Sequence, residues 1–261
     1  MRRERGLALV SVLWGIAILS LIAAAMLSAS VTSARIGHNT WNAARAGAAA
    51  DAAVNQAILA LLDERAAQRP RVDGTPATLG FDGLAARVWI EDETGKVNLN
   101  FASKELLQGL FVSAGLAGGE AGALADRIVA RRGDPNDPRP RLAFRAADEV
   151  LSVSGMTRAL FDRIAPALTV YGKSGALNTQ VAPRAALRAL PGMSETAVER
   201  VLERREEARD APAAAGGPLG TAGSDFQITA EVSADGARVV RVAVVQFTGD
   251  AAKPYLILAW R

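Results

Sequence analysis

The sequence contains no cysteine and only one histidine, His38. The missing cysteine excludes disulfide bonds, thiolate catalysis and cysteine-ligated zinc. His38 follows a long apolar segment, and no partner cluster surrounds it in the sequence, so we interpret it as a membrane-interface residue and not as a catalytic base. The sequence also lacks a recognisable nucleophile–base pair, a paired-acid constellation and a phosphate-binding loop. It therefore predicts a protein that is not an enzyme.

Net charge is small as well. The formal net charge is +3, and residues 1–6 supply +2 of it, because they contain three arginines and one glutamate. The rest of the chain is therefore close to +1, despite a sequence pI of about 9.7. A nucleic-acid-binding domain normally carries a concentrated basic surface. This charge balance provides no such surface.

One long apolar segment dominates the N-terminal region. No charged residue occurs from Leu7 to Ala34, and Arg35 is the first. At about 1.5 Å per residue, a helix of this length exceeds the roughly 30 Å hydrocarbon core of a bilayer. The arginines before it favour a cytoplasmic N-terminus, which places the rest of the chain across the membrane. A plain membrane anchor and a secretory signal peptide stay open as alternatives, although a signal peptide has a shorter apolar core.

The short basic segment that ends in Gly6 and leads directly into the apolar stretch resembles a type IV prepilin leader. This resemblance implies cleavage between Gly6 and Leu7 by a prepilin peptidase and N-methylation of Leu7. It makes Ser11 the fifth mature residue, where most pilins have a glutamate that neutralises the N-terminal amine of the subunit above. An unpaired carboxylate at membrane depth costs about 2.5 kcal/mol or more. Since a tip subunit has no neighbour above it, Ser11 is the predicted tip-determining residue.

Periodicity beyond the apolar segment predicts one long helix over about residues 7–67. A loop rich in proline and glycine follows it. Alternation predicts a strand over 86–91 and a short return strand over 97–100. Short helices are then predicted over 104–113, 120–132, 146–153, 158–167, 182–190 and 195–208. Near the C-terminus, Asp235-Gly236 predicts a hairpin between strands at 226–232 and 239–247, the second of them central in the sheet, and a third strand covers 255–260.

These patterns predict an α+β fold, with a long N-terminal helix packed on an antiparallel sheet and a large all-α domain inserted into the sheet. The predicted organisation is a leader at 1–6, a transmembrane helix half at 7–34, and a periplasmic helix half with the first strands at 35–100. An inserted helical domain at 101–208, a linker at 209–224 and closing strands at 225–261 complete it.

The helical region contains an internal repeat that resembles helix-hairpin-helix units. One copy begins near Asn98 and ends at Arg131-Arg132, and the second begins near Asn178 and ends at Arg204-Arg205. A third, weaker copy surrounds Gly155-Met156. DNA-binding versions present hairpin amides to a phosphate, usually with a second small residue and nearby lysines. Here the second glycine is missing and glutamates follow the stronger turn, so we interpret the units as packing elements without a nucleic-acid partner.

Over nearly its full length, the chain resembles the K-type minor pseudopilin (GspK) family of the type II, or general, secretion pathway. The residues that carry the resemblance are Arg5–Trp14, 92–100, Asp148-Glu149-Val150-Leu151 with Gly155-Met156, Leu168-Thr169-Val170-Tyr171, and Leu177-Asn178-Thr179 with Ala182-Pro183. The resemblance implies a single-pass inner-membrane protein with a periplasmic domain. It also implies that the protein caps the pseudopilus tip with the I- and J-type subunits and helps to start assembly for the secretion machinery.

The family resemblance also implies calcium. Asp134, Asn136 and Asp137 offer the hard oxygen ligands that calcium requires. Their spacing does not match an EF-hand, and the same residues suit an ordinary turn. No other cofactor is expected. The alternative function is a membrane-anchored DNA-uptake receptor with helix-hairpin-helix units outside the membrane.

Overall fold

The computed structural model describes residues 4–63, 70–132, 144–210 and 224–261. Its first element is helix α1, Glu4–Leu62, which is 59 residues long. No proline occurs before Pro70, so nothing in the sequence interrupts the helical hydrogen bonds of this segment. The described helix ends at Leu62, and the last part of the predicted helix, residues 64–69, lies outside the described residues.

A five-stranded antiparallel sheet packs against the second half of α1, with strand order β1-β2-β5-β6-β7. Each neighbouring pair in this order is antiparallel. The strands are β1 (Ala77–Phe81), β2 (Leu84–Asp92), β5 (Asp225–Ala234), β6 (Ala237–Asp250) and β7 (Lys253–Trp260). The predicted Asp235-Gly236 turn joins β5 and β6, and both of its residues have positive φ, as a type I′ hairpin requires.

The core between α1 and the sheet combines small helix residues with β-branched strand residues. Its fully buried helix positions include Ala46, Ala50, Ala53 and Val54, which bring the helix close to the sheet. Alternate residues of β5 point at the helix, because successive strand side chains face opposite sides. These residues are Phe226, Ile228, Ala230, Val232 and Ala234. The apolar stripe predicted on this half of α1 is therefore the face that packs on the sheet.

The helices lie between β2 and β5 in the sequence and share a second hydrophobic core. They are α2 (Lys104–Ser113), α3 (Gly118–Arg131), α4 (Arg158–Ile164), α5 (Arg184–Arg188) and α6 (Glu195–Asp210). A two-stranded parallel sheet, β3 (Val97–Asn98) with β4 (Leu168–Thr169), completes this part of the chain. The side chains at the centre of the core are fully buried, among them Leu107, Leu110, Phe111, Leu124, Ile128 and Phe144.

The predicted fold class is confirmed: a long helix packs on an antiparallel sheet, and a block of short helices is added to it. Two local predictions were wrong. Residues 97–98 do not return along β2, because β3 pairs with β4 instead. The predicted loop after Pro70 contains β1, whose side chains are mostly exposed and so give little apolar pattern. The prediction of a central strand over 239–247 is confirmed, because β6 pairs with β5 on one side and with β7 on the other.

Candidate functional site: apolar helix, buried ion pair and paired hairpins

The first half of α1 presents large apolar side chains in all directions. Leu9, Trp14, Leu21, Met26 and Leu27 are each 66% or more exposed. The most apolar 18-residue window of this helix has a mean hydropathy of 2.4, and none of it is buried. Exposing so much contiguous apolar surface to water is unfavourable, whereas a bilayer solvates it. One helix among the described residues is thus long and apolar enough to cross a membrane.

The predicted processing residues lie at the beginning of this helix. Gly6 and Leu7 belong to the first turns of α1. Ser11 is one turn further along, with an exposed side chain. Their roles in cleavage, methylation and tip position remain predictions.

Polar contacts mark the region where α1 leaves its exposed half. The Asn42 amide contacts the ring Nε2 of exposed His38 at 3.1 Å. Trp41 is 64% exposed, as suits an interfacial aromatic residue. Further along, Arg241 of β6 donates from Nε to Asp51 Oδ1 of α1 at 2.8 Å. This bond connects helix and sheet at a half-exposed position beside Gly47, where an added Cβ would lie 3.5 Å from the Arg241 guanidinium.

A buried ion pair lies where the sheet meets the helical block. Directly after β2, Lys96 donates from Nζ to Glu93 Oε1 at 2.8 Å and to Glu91 Oε2 at 3.0 Å. The Glu93 side chain is only 2% exposed and that of Lys96 only 6%. Glu93 also accepts a hydrogen bond from the Thr169 hydroxyl of β4, and Glu91 accepts one from Gln227 of β5. The cluster, which we call the charged junction, therefore joins β2, β4 and β5.

Burial and pairing shift the protonation of the charged junction in opposite ways. Burial raises the pKa of Glu93 above its usual 4.5, and the Lys96 ammonium offsets this only in part. Burial by itself lowers the pKa of Lys96, but attraction by Glu93 and Glu91 outweighs it, so the pKa of Lys96 lies above 10.5. Lys96 therefore stays charged at neutral pH. A cavity of about 430 Å³ opens beside it, partly lined by Asp148, Tyr171 and Arg261.

The predicted internal repeat is visible in the hydrogen bonds that surround each copy. In the first copy, Asn98 Oδ1 accepts from the Asn100 amide; in the second, Asn178 Oδ1 accepts from the Gln180 amide. An arginine at the end of each unit then holds the loop. Arg132 donates to the carbonyls of Leu99 and Ala102. Arg205 donates to the equivalent carbonyls of Thr179 and Ala182.

The arginines of the repeat show how the structure extends the sequence prediction. The Arg-Arg pairs were recognised as the ends of both copies, but their role as loop clamps was not. Burial lowers the pKa of both Arg132 and Arg205 below the usual 12.5 of an arginine. The two copies also touch directly, because Gly109 of α2 lies against the carbonyl of Ala189, just after α5.

Three hairpin turns share one geometry. Each contains a glycine with positive φ, followed by an apolar residue and then by the N-cap residue of the next helix. These glycines are Gly115, Gly155 and Gly192. Thr157 and Ser194 cap the helices after the second and third turns by accepting from backbone amides. The turn of the first copy lies at Gly115, just before α3 begins at Gly118.

The basic residues beside the hairpin turn at Gly192 already form ion pairs within the protein. Arg184 bonds Glu199 and Glu195, and Arg188 bonds Glu195 with two nitrogens. These glutamates lie in the first turns of α6, where a bound phosphate would have to approach. Like charge there repels a nucleic-acid backbone. The arrangement favours the interpretation of this hairpin as a packing unit.

The predicted calcium ligands Asp134, Asn136 and Asp137 lie outside the described residues. Among residues 4–63, 70–132, 144–210 and 224–261, no group of three or more histidine or acidic side chains is arranged to hold a metal ion.

No protein-family model matches the chain, and no curated protein matches it. Among solved structures, it is similar to a chain of the GspK-GspI-GspJ complex from the type 2 secretion system of enterotoxigenic Escherichia coli. The two chains are 14% identical, the match covers 89% of this chain and 98% of the other, and the TM-score is 0.47. A likeness of this strength does not decide function, so the chain's own residues have to.

Proposed function

We propose that the protein is a minor pseudopilin that occupies the tip of a type II secretion pseudopilus and helps to start its assembly. In this role it is held in the inner membrane by the first half of α1, with the sheet and helices in the periplasm. Its partners are the I- and J-type minor pseudopilins, the prepilin peptidase and the secretion machinery that exports folded proteins across the outer membrane.

The observation that carries the proposal is the division of α1 into two halves with opposite surroundings. The first half is apolar and exposed on every side. The second half is buried on a stripe of small residues against the sheet. A filament subunit needs both features in one continuous helix, because the same helix must leave the bilayer and carry the folded domain. A simple anchor needs no such continuity.

Ser11 supports the tip position in particular. A glutamate at the fifth mature position is stabilised only when a neighbour's terminal amine neutralises it in the apolar interior. Serine avoids an unpaired carboxylate at the end of a filament. The helical block, which is far from the membrane half of α1 in the sequence, then forms the distal bulk that limits the addition of further subunits.

The first experiment measures the N-terminal mass of the protein extracted from membranes of cells that process pilins. We expect a chain that begins with N-methyl-leucine at residue 7. The Gly6→Ala variant should keep the arginine-containing leader. Gly15→Ala is the matched control, because an added Cβ at Gly15 meets nothing within 4 Å and processing should continue. A leader retained by the wild-type chain contradicts the proposal.

The second experiment tests the tip position by changing Ser11→Glu, with Ser11→Thr as the control. The glutamate variant should lose the ability to start pseudopilus assembly and should reduce secretion, because it buries a carboxylate without a partner. The threonine variant keeps a neutral hydroxyl and should behave like the wild type. Equal secretion by both variants would remove the tip assignment while leaving the processing result intact.

One observation favours the alternative of a DNA-uptake receptor, namely the repeated hairpin unit with its matching arginine clamps. The ion pairs of Arg184 and Arg188 oppose it. A gel shift with duplex DNA at physiological salt separates the two functions. Tight, salt-dependent binding would support the receptor.

The proposed calcium site is tested separately, by measuring whether the Asp134→Asn/Asp137→Asn variant loses a calcium-dependent rise in thermal stability.

A further inference from the structure

The last strand, β7, forms one edge of the five-stranded sheet. Within the parts of the chain that the structure describes, no strand pairs with its outer side. Arg261 exchanges both backbone hydrogen bonds with Val242 of β6. Alternate residues of an antiparallel strand turn their N–H and C=O groups to opposite sides, so those of Trp260 point to the open edge. The edge therefore offers unpaired backbone donors and acceptors, which only an extended chain can satisfy in series.

This edge is unusually apolar. The seven residues from Pro254 to Trp260 carry no charge. Leu256, Ile257 and Trp260 are 45%, 50% and 41% exposed. Protected edge strands are normally short, charged or covered. Here the protection is limited to Pro254 near the start and to two register shifts along β6, between Val244 and Val245 and between Phe247 and Asp250.

The exposed side chains lie on both faces of the sheet. The register pairs Ile257 with Val245 and Trp260 with Ala243, which puts them on the side of α1. It pairs Leu256 with Gln246, which puts Leu256 on the opposite side. A helix laid on one face would cover only one of these groups. A strand added in the plane of the sheet covers both and satisfies the backbone as well.

The charges that flank the edge select its partner. Exposed Lys253 and Arg261 lie at its two ends, and neither forms an ion pair within the described ranges. Asp250, opposite Lys253 in the register, accepts from the Ala252 amide. A second copy paired antiparallel about Ile257 would set Lys253 against Arg261, and like charges directly opposite are destabilising. A strand with carboxylates at both ends complements this edge in either direction.

We propose that the open edge of β7 binds an extended strand of another protein, uncharged in its middle and acidic at both ends. The bound strand would extend the sheet to six strands through backbone hydrogen bonds, with its carboxylates near Lys253 and Arg261. This interaction goes beyond the proposed function and does not depend on prepilin processing or on the tip position, so each can fail without the other.

The test uses the full chain in detergent and two synthetic nine-residue peptides of alternating valine and threonine. One peptide carries glutamate at both ends and the other lysine. Backbone hydrogen exchange is measured over residues 254–260. We expect the glutamate peptide to slow exchange of the outward-facing Trp260 amide at least tenfold, and the lysine peptide to change it less than twofold.

Three variants locate the binding. Leu256→Lys places a charge on the edge and should weaken binding of the glutamate peptide at least tenfold. Val240→Lys is the matched control, since Val240 is 40% exposed on the same face but lies on β6, outside the stretch that pairs with β7. It should change binding less than twofold. Lys253→Glu changes a residue outside the apolar stretch. It should weaken binding of the glutamate peptide at least threefold and strengthen binding of the lysine peptide.

Several results would overturn the proposal. Unchanged exchange with both peptides would show that the edge binds no strand. Equal protection by both would remove the charge selection. A loss with Val240→Lys as large as with Leu256→Lys would place binding on the face of the sheet. Protection that rises with protein concentration in the absence of peptide would identify a second copy as the occupant.

Discussion

Replacing Lys96 with methionine tests the charged junction most directly. The variant keeps the length of the side chain and removes its ammonium group. Glu91 retains its hydrogen bond from Gln227 and is partly exposed. Glu93 is left with the Thr169 hydroxyl as its hydrogen-bond partner and is almost completely buried. The cost of the substitution therefore depends mainly on what the stranded Glu93 carboxylate does.

The magnitude follows from the protonation of Glu93. Removing one partner of a buried ion pair costs roughly 3–5 kcal/mol when the remaining charge cannot be neutralised. The Glu93 carboxylate can be neutralised by taking up a proton, at a cost of about 1.4 kcal/mol for each pH unit above its usual pKa. With a usual pKa of 4.5, we expect a loss of roughly 3 kcal/mol at pH 7. The loss should shrink to about 1 kcal/mol or less at pH 5.

The assay is equilibrium unfolding by denaturant of the full chain in detergent, at pH 5 and pH 7. Arg238→Met is the control, because it removes an exposed ion pair with Glu231 and should change stability little at either pH. The double variant Lys96→Met/Glu93→Gln should recover most of the loss at pH 7. A pH-independent loss for Lys96→Met, or no recovery in the double variant, would refute the reasoning.

Three further outcomes are expected. Gly109→Ala should destabilise the helical block by about 1–3 kcal/mol, since its Cβ would lie 2.0 Å from the Ala189 carbonyl oxygen. The control Gly122→Ala, whose nearest contact is the flexible Gln108 side chain at 3.6 Å, should be neutral or stabilising by up to about 1 kcal/mol. Equal melting temperatures for the two variants would contradict the packing of Gly109 against Ala189. Burial raises the pKa of Asp73, but hydrogen bonds from Arg71 and Thr75 outweigh it and lower the pKa to about 2. Its contribution to stability is therefore present above its usual pKa of 3.8 and lost as the pH falls through about 2, and Asp73→Asn should flatten the acid unfolding curve in that range. The pKa of Lys96 is raised in the folded protein, so its contribution to stability is complete below pH 10.5 and is lost as the pH rises through its pKa in the folded state. Lys96→Met should remove this loss of stability at alkaline pH. An alkaline unfolding curve like that of the wild type would argue against the ion pair.

Much of the helical content could be predicted from local signals. The bounds of α2 agree with the prediction at both ends, because Ser103 caps the first turn through its hydroxyl and an apolar face follows. The Asp235-Gly236 turn was equally local, since few other residue pairs adopt positive φ twice in succession. Such features depend on a few neighbouring residues, and a sequence displays those directly.

Long-range pairing could not be predicted in the same way. Strand β3 has only two residues, and its partner β4 lies about seventy residues later in the chain. The nearest apolar strand in the sequence was β2, which made a hairpin the simpler expectation. Likewise, Lys96 and Glu93 look like ordinary surface charges near a turn. Only the approach of β4 and β5 buries them and makes their pairing important.

The sequence by itself determined that the chain begins with an apolar helix of membrane-spanning length, that a sheet follows, and that a doubled hairpin unit lies between its strands. Hydrophobic periodicity and turn chemistry are properties of short segments, so they can be recognised without knowledge of the fold. The tertiary structure decided which charges are buried, where the two arginine clamps bind, and which strand is left open at the edge. Those depend on contacts between residues that are far apart in the chain, and only packing brings them together.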